Sequence, residues 1–323
     1  MACDKRAMAR PDNPETSFQV FDPRAVRSHR ERAASGGRQA EFLFAEGAKR
    51  LAERLGDVNR RFARALDLGS RGGTLGRELR GRGAAAWLVS SDSAAGFLRG
   101  LAGPKVAAEP ETLPFAPASF DLVVSNLALH WVNDLPGALL QLRQALQPDG
   151  LLLASLFAGE TLSELRESLL LAESEIENGA SPRVSPFADA RELAGLLQRA
   201  GFALPVVDTD RIEATYSDAL SLMRDLQAMG ESNAVAARRH GFTRRATLLR
   251  AAELYQARYA GPDGRVVARF EIATLTAWAP DQSQPKPLRP GSAAARLADA
   301  LGAEEKSAGE AAGPATPPRK PDR

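Results

Sequence analysis

Residues 65–79 read ALDLGSRGGTLGREL. A short apolar run leads into glycines at positions 69, 72, 73 and 76, and the residues around and beyond them have the pattern of a helix. Glycine suits such a turn because the backbone must bend sharply and let a ligand approach it closely. The stretch therefore predicts a buried strand, a ligand-binding turn and a helix at the centre of an α/β fold.

The chain on either side of this turn alternates between short apolar runs and longer amphipathic stretches. Strands are predicted at 63–68, 84–90, 120–125 and 151–157, and helices at 39–55, 75–80 and 135–146. Strands that are apolar on both faces and alternate with helices indicate a parallel sheet covered by helices. Beyond residue 159 the pattern predicts helices at 161–177, 188–200, 219–229 and 247–259, and extended segments at 204–216 and 265–278. Thr161 and Glu164 have the spacing of a capping box at the first of these helices.

Composition divides the chain into three regions. Residues 1–35 are expected to be a partly ordered extension. Residues 36–279 are expected to form the folded domain, with a cofactor half at 36–160 and a substrate-side half at 161–279. No aromatic residue follows Trp278, and 280–323 are rich in Pro, Ala, Gly and charge, so this tail is expected to be disordered apart from a short helix at 293–301.

Composition and charge also exclude several classes of protein. Of the 323 residues, 44% are hydrophobic and 25% charged, which is ordinary for a globular protein and rules out disorder throughout. The net charge of +2 argues against nucleic acid as a partner. No run reaches the roughly 18 apolar residues of a membrane-spanning helix. We expect a cytoplasmic protein, at most peripheral to a membrane.

Two acidic residues follow the first two predicted strands. Asp67 lies two residues before the first glycine, where a carboxylate would repel a pyrophosphate but would suit the positively charged amino acid end of S-adenosyl-L-methionine. Asp92 lies after the second strand, where an acidic side chain can accept hydrogen bonds from ribose hydroxyls. The alternative is local: Asp67 caps the turn and Asp92 opens the next helix.

The stretch from Ala108 to Leu153 contains the runs LPF, SFDLVVSN and LQPDG. With the glycine-rich turn it resembles the class I S-adenosylmethionine-dependent methyltransferases. The resemblance implies a Rossmann-like α/β sandwich with a mostly parallel seven-stranded sheet and added helices on the substrate side. It also implies S-adenosyl-L-methionine as cofactor and assigns a set of residues to it: Asp67, Gly69, Ser70, Arg71, Gly73, Asp92, Glu109, Ser125 and Asn126. In that family the position of Glu109, with Glu111 close by, lies near the adenine, and Ser125 and Asn126 lie near the reactive end.

One position departs from the family pattern. The motif Asp-x-Gly-x-Gly-x-Gly here has Arg71 in place of its middle glycine. If that position needs a positive φ, arginine costs roughly 1 kcal/mol or more. Gly72 can take over the turn, Arg71 can bind the cofactor carboxylate, or the loop has drifted and binds cofactor poorly.

A narrower resemblance extends through LHWVNDLPGAL (129–139), SPRVSPFADARELAGLLQRAGF (181–202) and DLQAMGESN (225–233). These runs are similar to the methyltransferase-fold assembly factors of respiratory complex I. That resemblance implies hydroxylation of an arginine in a core subunit of complex I, and hence a protein substrate.

The cofactor half also resembles the enzymes that methylate malonyl-acyl-carrier protein, an acidic partner. A basic segment is available for it, because residues 232–252 contain no acid and carry Arg238, Arg239, His240, Arg244, Arg245 and Arg250. A solvated helix face in an arginine-rich chain is the alternative explanation. A non-catalytic assembly chaperone is a further alternative to both enzymes.

His130 and Trp131 are the candidate catalytic residues, since they follow a strand at the edge where substrate would meet cofactor. Histidine there can act as a base and tryptophan can stack on a guanidinium. Carboxylates that could grip an arginine are Glu160, Glu164 and Asp208 or Asp210. The histidines at 29, 130 and 240 are too far apart in sequence to suggest a metal site, so none is predicted.

Overall fold

A seven-stranded sheet forms the centre of the computed structural model, which describes residues 19–36, 41–285, 299 and 301–303. The strands are β1 (Phe62–Leu68), β2 (Ala85–Asp92), β3 (Lys105–Ala107), β4 (Phe120–Asn126), β5 (Leu146–Phe157), β6 (Ala203–Tyr216) and β7 (Val266–Trp278). Their order is β3-β2-β1-β4-β5-β7-β6, and β7 alone runs antiparallel to its neighbours β5 and β6. The predicted mostly parallel sheet is confirmed.

The α-helices of the described residues are α1 (Pro23–Ser35), α2 (Phe42–Gly56), α3 (Thr74–Gly81), α4 (Ala95–Leu98), α5 (Leu135–Ala145), α6 (Ser163–Glu177), α7 (Ala190–Arg199), α8 (Ala219–Met229) and α9 (Arg245–Tyr259). All these elements lie in the unit of residues 1–282, and residues 283–323 form a second unit. No helix in the described part of the chain is both long and apolar enough to cross a membrane.

The helices cover both faces of the sheet. On one face, Leu139 of α5 and Leu197 of α7 pack in a core that includes Leu152 of β5. On the other, Leu51 of α2 and Leu75 of α3 pack against β1 and β4. Helices α6, α8 and α9 form a further cluster around the β7 half of the sheet, on the substrate side that the family resemblance implied.

The sequence analysis missed α1, α4 and β3. Helix α1 carries four arginines in 13 residues and lacks the apolar stripe that identifies an amphipathic helix. Its start is encoded locally, since the Asp22 carboxylate accepts hydrogen bonds from the N–H groups of Arg24 and Ala25, and Pro23 occupies the first turn.

The predicted capping box at Thr161 and Glu164 is wrong. Helix α6 begins at Ser163, and no side chain caps its first turn. Thr161 Oγ1 instead accepts a hydrogen bond from the N–H of Glu271, 3.0 Å away on β7. Glu164 is ion-paired with Arg269 on the same strand. Both side chains are used to join α6 to the sheet, which their spacing does not reveal.

Some expectations about the ends of the chain lie outside the described residues. These are the arrangement of residues 1–18 and most of the predicted tail at 280–323, including the short helix at 293–301 apart from Asp299 and Leu301. In the described part of the N-terminal extension, Phe21 forms a β-bridge with Val235 and Pro23–Ser35 form α1.

We expect Phe270→Ala to lower the free energy of unfolding by about 3–5 kcal/mol, because Phe270 is 0% exposed in the cluster under α6, α8 and α9. The matched control is Phe242→Ala, at a side chain that is 100% exposed, where a change within about 0.5 kcal/mol is expected. Urea unfolding of the three proteins measures both values. Equal costs at the two positions would contradict this assignment of the core.

Candidate functional site

The carboxyl ends of β1, β2 and β4 lie side by side at one edge of the sheet. Leu68 pairs with Ser91 on one side and with Ser125 on the other. The chain after each strand therefore meets its neighbours at this edge, which is where open α/β sheets bind ligands. The structure thus brings most of the predicted cofactor residues together.

The glycine-rich turn has the geometry that its sequence predicted. Gly69 has a φ of +69°, and a Cβ there would lie 2.3 Å from the Cβ of Ala128, so no larger residue fits without movement. A 3-10 turn at Arg71–Gly73 leads into α3. Arg71 has a φ of +41° and Gly72 one of +68°, so the arginine does adopt a left-handed conformation. That conformation costs roughly 1–2 kcal/mol for a non-glycine residue.

Helix α1 lies across the end of β2, where it contacts Asp92. Arg30 Nη2 donates to Asp92 Oδ2 at 2.7 Å, and both side chains are buried. The N–H groups of Arg71 and Ala94 also donate to this carboxylate, at 3.0 and 2.9 Å. Residues of the chain itself thus occupy the predicted ribose acceptor. A ribose hydroxyl that binds Asp92 must share it with Arg30 or displace it.

A groove runs between α1 and this edge of the sheet. Its lining includes Val26, Arg30, Gly69, Glu109, Ala128 and Trp131. Glu109 forms a half-exposed ion pair with Arg27 of α1 at 2.9 Å. Glu111 has another use, since its carboxylate accepts the N–H of Asp134 at 2.8 Å.

Asp67 is fully buried at the end of β1. Neither carboxylate oxygen has a hydrogen-bond partner among the described residues. Burial, reinforced by the charge of Asp92, raises the pKa of Asp67 to about 7. The charge of Arg80 offsets only part of the cost of burying this carboxylate, and a bound cation would relieve the rest.

Arg71 is buried beside the same turn. Its guanidinium carbon lies 3.4 Å from the ring centroid of Phe44 on α2, and its Nη2 donates to the carbonyl of Met229. Nε and Nη1 have no partner within the described part of the chain. Burial lowers the pKa of Arg71 to about 10, so the side chain remains a cation at neutral pH. Two free N–H groups on a buried cation suit a carboxylate ligand.

The remaining predicted cofactor residues differ in whether their polar side-chain atoms already have hydrogen-bond partners. The hydroxyls of Ser70 and Ser125 are buried and have no partner among the described residues. Asn126 is already used, because its Nδ2 donates to the carbonyl of Phe44 at 2.8 Å and its Oδ1 accepts from Ser155. Gly73, with a φ of +75°, directly precedes α3, and a Cβ there would lie 2.8 Å from Leu101.

A second cavity, of about 420 Å³, lies between α6, α8, α9 and the segment 183–187. Much of its wall is apolar: Phe157, Leu165, Leu169, Phe187, Leu226 and Phe270. Trp131 lines both this cavity and the groove, so the two spaces meet at that residue. Such a cavity can hold an elongated side chain next to the groove.

His130 and Trp131 both donate to one carboxylate, that of Glu231. His130 Nε2 lies 3.0 Å and Trp131 Nε1 2.8 Å from Glu231 Oε2. The Glu231 side chain is 5% exposed, lines the second cavity, and has no partner for Oε1 among the described residues. Burial would raise the pKa of Glu231, but His130, Arg71 and Arg30 lower it below its ordinary value. The site therefore holds an ionised buried carboxylate.

The carboxylates singled out from the sequence have other roles. Glu164 pairs with Arg269, Asp208 with Arg54 and Asp210 with Arg50, the last at 3.4 Å. Glu160 belongs to a different, more open surface cavity. Sequence reasoning missed Glu231, whose one signal was its place in MGESN, directly after the left-handed Gly230 that ends α8. In the described residues no group of three His, Cys, Asp or Glu is placed to hold a metal ion.

Residues 38–205 match the family model of the methyltransferase domain. The chain belongs to the methyltransferase family. This chain is 40% identical over 289 residues to the mitochondrial arginine hydroxylase NDUFAF5 of Danio rerio, covering 87% of this chain and 89% of that protein. It is also 35% identical over 277 residues to the malonyl-[acyl-carrier protein] O-methyltransferase of Gallionella capsiferriformans, covering 81% and 92%. Among solved structures, YcgJ of Bacillus subtilis has the same fold, with 13% identity, a TM-score of 0.50 and coverage of 72% and 98%.

These comparisons confirm the predicted class I methyltransferase fold and the resemblance to both groups of enzymes. The protein is an enzyme with the fold of the S-adenosylmethionine-dependent methyltransferases. Which of its residues bind cofactor and which carry the reaction remain predictions.

Asp67→Asn is expected to stabilise the cofactor-free protein, and increasingly so at higher pH. The folded pKa of about 7 exceeds the ordinary 3.8, so wild-type stability falls as pH rises from about 4 through 7. Ionisation of Asp67 lowers the free energy of unfolding of the wild type by about 4 kcal/mol at most. We expect the stability difference between Asp67→Asn and the wild type to grow by about 2–3 kcal/mol between pH 5 and 8.5. Urea unfolding at the two pH values measures it.

Ser70→Ala is the control, since it changes a buried neutral group on the same turn and its effect should not vary with pH. A pH-independent advantage of Asp67→Asn would show that Asp67 is not an isolated carboxyl.

Proposed function

We propose that this methyltransferase-family enzyme binds S-adenosyl-L-methionine in the groove under α1 and modifies an arginine side chain of a protein. The modification we propose is hydroxylation of a core subunit during assembly of respiratory complex I. The observation that carries the proposal is the largely apolar second cavity, which meets the groove at Trp131. Similarity to the arginine hydroxylase over 87% of the chain supports the choice of substrate residue.

The unpaired charges of the turn fit the methionine end of the cofactor. Asp67 would bind its ammonium group and Arg71 its carboxylate, so the arginine in the middle-glycine position has a use. Glu109 would lie toward the adenine, and Asp92 toward the ribose once Arg30 makes room. When bound, S-adenosylmethionine would supply an electrophilic methyl group.

Hydroxylation needs an oxidant as well. A C–H bond of the substrate becomes C–OH, and dioxygen supplies the inserted oxygen atom. Two electrons from a reductant and two protons convert the other oxygen atom to water. The chain's own contribution in this proposal is to bind the arginine and to exclude water from the buried cavity around it.

Methylation of a malonyl group on an acidic carrier protein is the second candidate, favoured by the 35% identity to that enzyme. The basic segment at 232–252 supports it only in part. Three of its arginines form ion pairs within the chain: Arg238 with Asp22, Arg239 with Glu177 and Arg250 with Glu175. Arg244 and Arg245 are exposed and have no ion-pair partner among the described residues. A smaller basic surface remains than the sequence suggested.

Arg71→Met is expected to weaken S-adenosylmethionine binding about 10- to 100-fold. A hydrogen bond to a charged group contributes about 1.5–3 kcal/mol, and methionine keeps the contact with Phe44 without the N–H groups. Isothermal titration calorimetry of the full chain measures the affinity. Arg77→Met is the matched control, because Arg77 is an exposed arginine of the same segment that donates to the carbonyl of Gly72. Equal affinity in both variants would reject the role of Arg71.

The modification itself is tested by peptide mass spectrometry of complex I from wild-type and deletion strains. We expect an arginine peptide of a core subunit to be lighter by one oxygen atom in the deletion strain. A peptide lighter by one methylene group would instead identify a protein methyltransferase. If no complex I peptide changes, the proposal fails, and the carrier-protein enzyme or a non-catalytic chaperone is favoured.

A biotin auxotroph tests the carrier-protein alternative. If expression of the chain restores its growth without biotin, the chain is the carrier-protein enzyme.

A further inference from the structure

We propose that Glu231 determines the specificity of the second cavity, and that its free oxygen binds the guanidinium of the substrate side chain. The inference deepens the proposed function and rests on it for the identity of the substrate. Four features of the structure support it: the unpartnered oxygen of Glu231, the nearby cations, the cavity wall and the only cation on that wall among the described residues.

Glu231 is held firmly on one side only. Its Oε2 accepts from His130 and Trp131, whereas Oε1 is buried and has no hydrogen-bond partner among the described residues. Leaving a buried charged acceptor unpaired costs free energy, because the group has lost its water. A cationic donor that enters the cavity would restore the lost hydrogen bond.

The nearby cations of the chain do not fill this position. Arg30 and Arg71 are close enough for their charges to act on Glu231. Their hydrogen bonds go elsewhere, from Arg30 to Asp92 and from Arg71 to the carbonyl of Met229. Glu231 lines the cavity, and its buried Oε1 has no hydrogen-bond partner among the described residues.

The cavity wall suits the stem and the plane of an arginine side chain. Three methylene groups can pack along Leu165 and Leu226, as long basic side chains commonly do on apolar surfaces. Trp131 and Phe187 line the space around Glu231, and aromatic faces attract a planar guanidinium. A compact ammonium would use the carboxylate but not the aromatic faces.

The cavity is poorly suited to an anionic ligand. Arg183, the cation in its lining, donates from Nε and Nη2 to Glu173 at 3.1 and 2.6 Å and from Nη1 to Thr243 at 2.7 Å. An entering carboxylate would have to compete with Glu173 and would be repelled by Glu231. The same residue that attracts a guanidinium thus discriminates against a malonyl group.

His130 and Trp131 are positioning residues in this arrangement. The His130 ring packs 4.7 Å from the ring centroid of Phe157, and Trp131 packs edge-on against Phe21 at 5.3 Å. These contacts fix the two donors, which in turn hold Glu231 Oε2 and leave Oε1 without a partner among the described residues. His130 and Trp131, the catalytic candidates named from the sequence, thus act on the substrate through Glu231.

The test compares two probes with the full chain in the presence of S-adenosylhomocysteine: Nα-acetyl-arginine amide and the neutral, equally shaped Nα-acetyl-citrulline amide. Calorimetry or ligand-observed NMR measures both. We expect wild-type protein to bind the arginine probe at least 10-fold more tightly, and Glu231→Gln to lose that preference. Glu231→Asp should retain part of it. Glu175→Gln, at a half-exposed glutamate of α6, is the matched control and should change nothing.

The inference is overturned if wild-type protein does not bind the arginine probe at about 10 mM, if it does not distinguish the two probes, or if Glu231→Gln keeps the preference. Thermal unfolding of Glu231→Gln checks that the fold is intact, and retained citrulline binding provides the same check at the cavity. Failure here is separable from failure of the proposed function. An arginine oxidised in complex I with no dependence of binding on Glu231 rejects only the specificity residue. Arginine recognition without a change in complex I rejects only the biological substrate.

Discussion

The carboxylate of Asp92 connects three parts of the protein that are distant in sequence. It accepts hydrogen bonds from Arg30 on α1, from the backbone of the glycine-rich turn at Arg71, and from Ala94 after β2. Loss of one partner from a buried ion pair typically costs about 3–5 kcal/mol. This interaction therefore places α1 over the carboxyl ends of the strands and closes one side of the groove. Any ribose that reaches Asp92 competes with Arg30 for the same oxygens.

The glycine-rich turn departs from the family motif at Arg71, yet its two buried charged side chains can still bind a ligand. Arg71 replaces a glycine and takes a left-handed conformation, yet its side chain is buried against Phe44 with two N–H groups unused. Asp67, four residues earlier, is buried without a partner among the described residues. Both groups are costly in the protein alone, and a ligand with an ammonium and a carboxylate would compensate both. The turn is thus less stable alone than with an amino acid ligand, as is common at binding sites.

The proposed function assigns the groove to the cofactor and the second cavity to the substrate, and Trp131 lines both. Beside it, Glu231 is oriented by His130 and Trp131, and the apolar rings around it keep water away. A carboxylate in such surroundings interacts strongly with a matching cation, because the local dielectric constant is low. The same surroundings oppose a negatively charged ligand. In this proposal the buried charge of Glu231 favours an arginine over a malonyl group in the cavity, although the two groups of relatives share the fold.

The sequence by itself determined the α/β class, the position of most strands and helices, and the ligand-binding turn, because these depend on local periodicity and on glycine conformation. It also placed Asp67 and Asp92 at one edge, since parallel strands end together, and the family resemblance added Ser125. Only the tertiary structure decided how those side chains are used. Arg30 reaches Asp92 across 62 residues and Glu231 reaches His130 across 101, and no local pattern encodes such distances. The carboxylates at 164, 208 and 210, named from the sequence as candidates to grip an arginine substrate, form ion pairs within the chain for the same reason. Whether an acidic side chain is free or paired depends on which arginine the fold brings next to it.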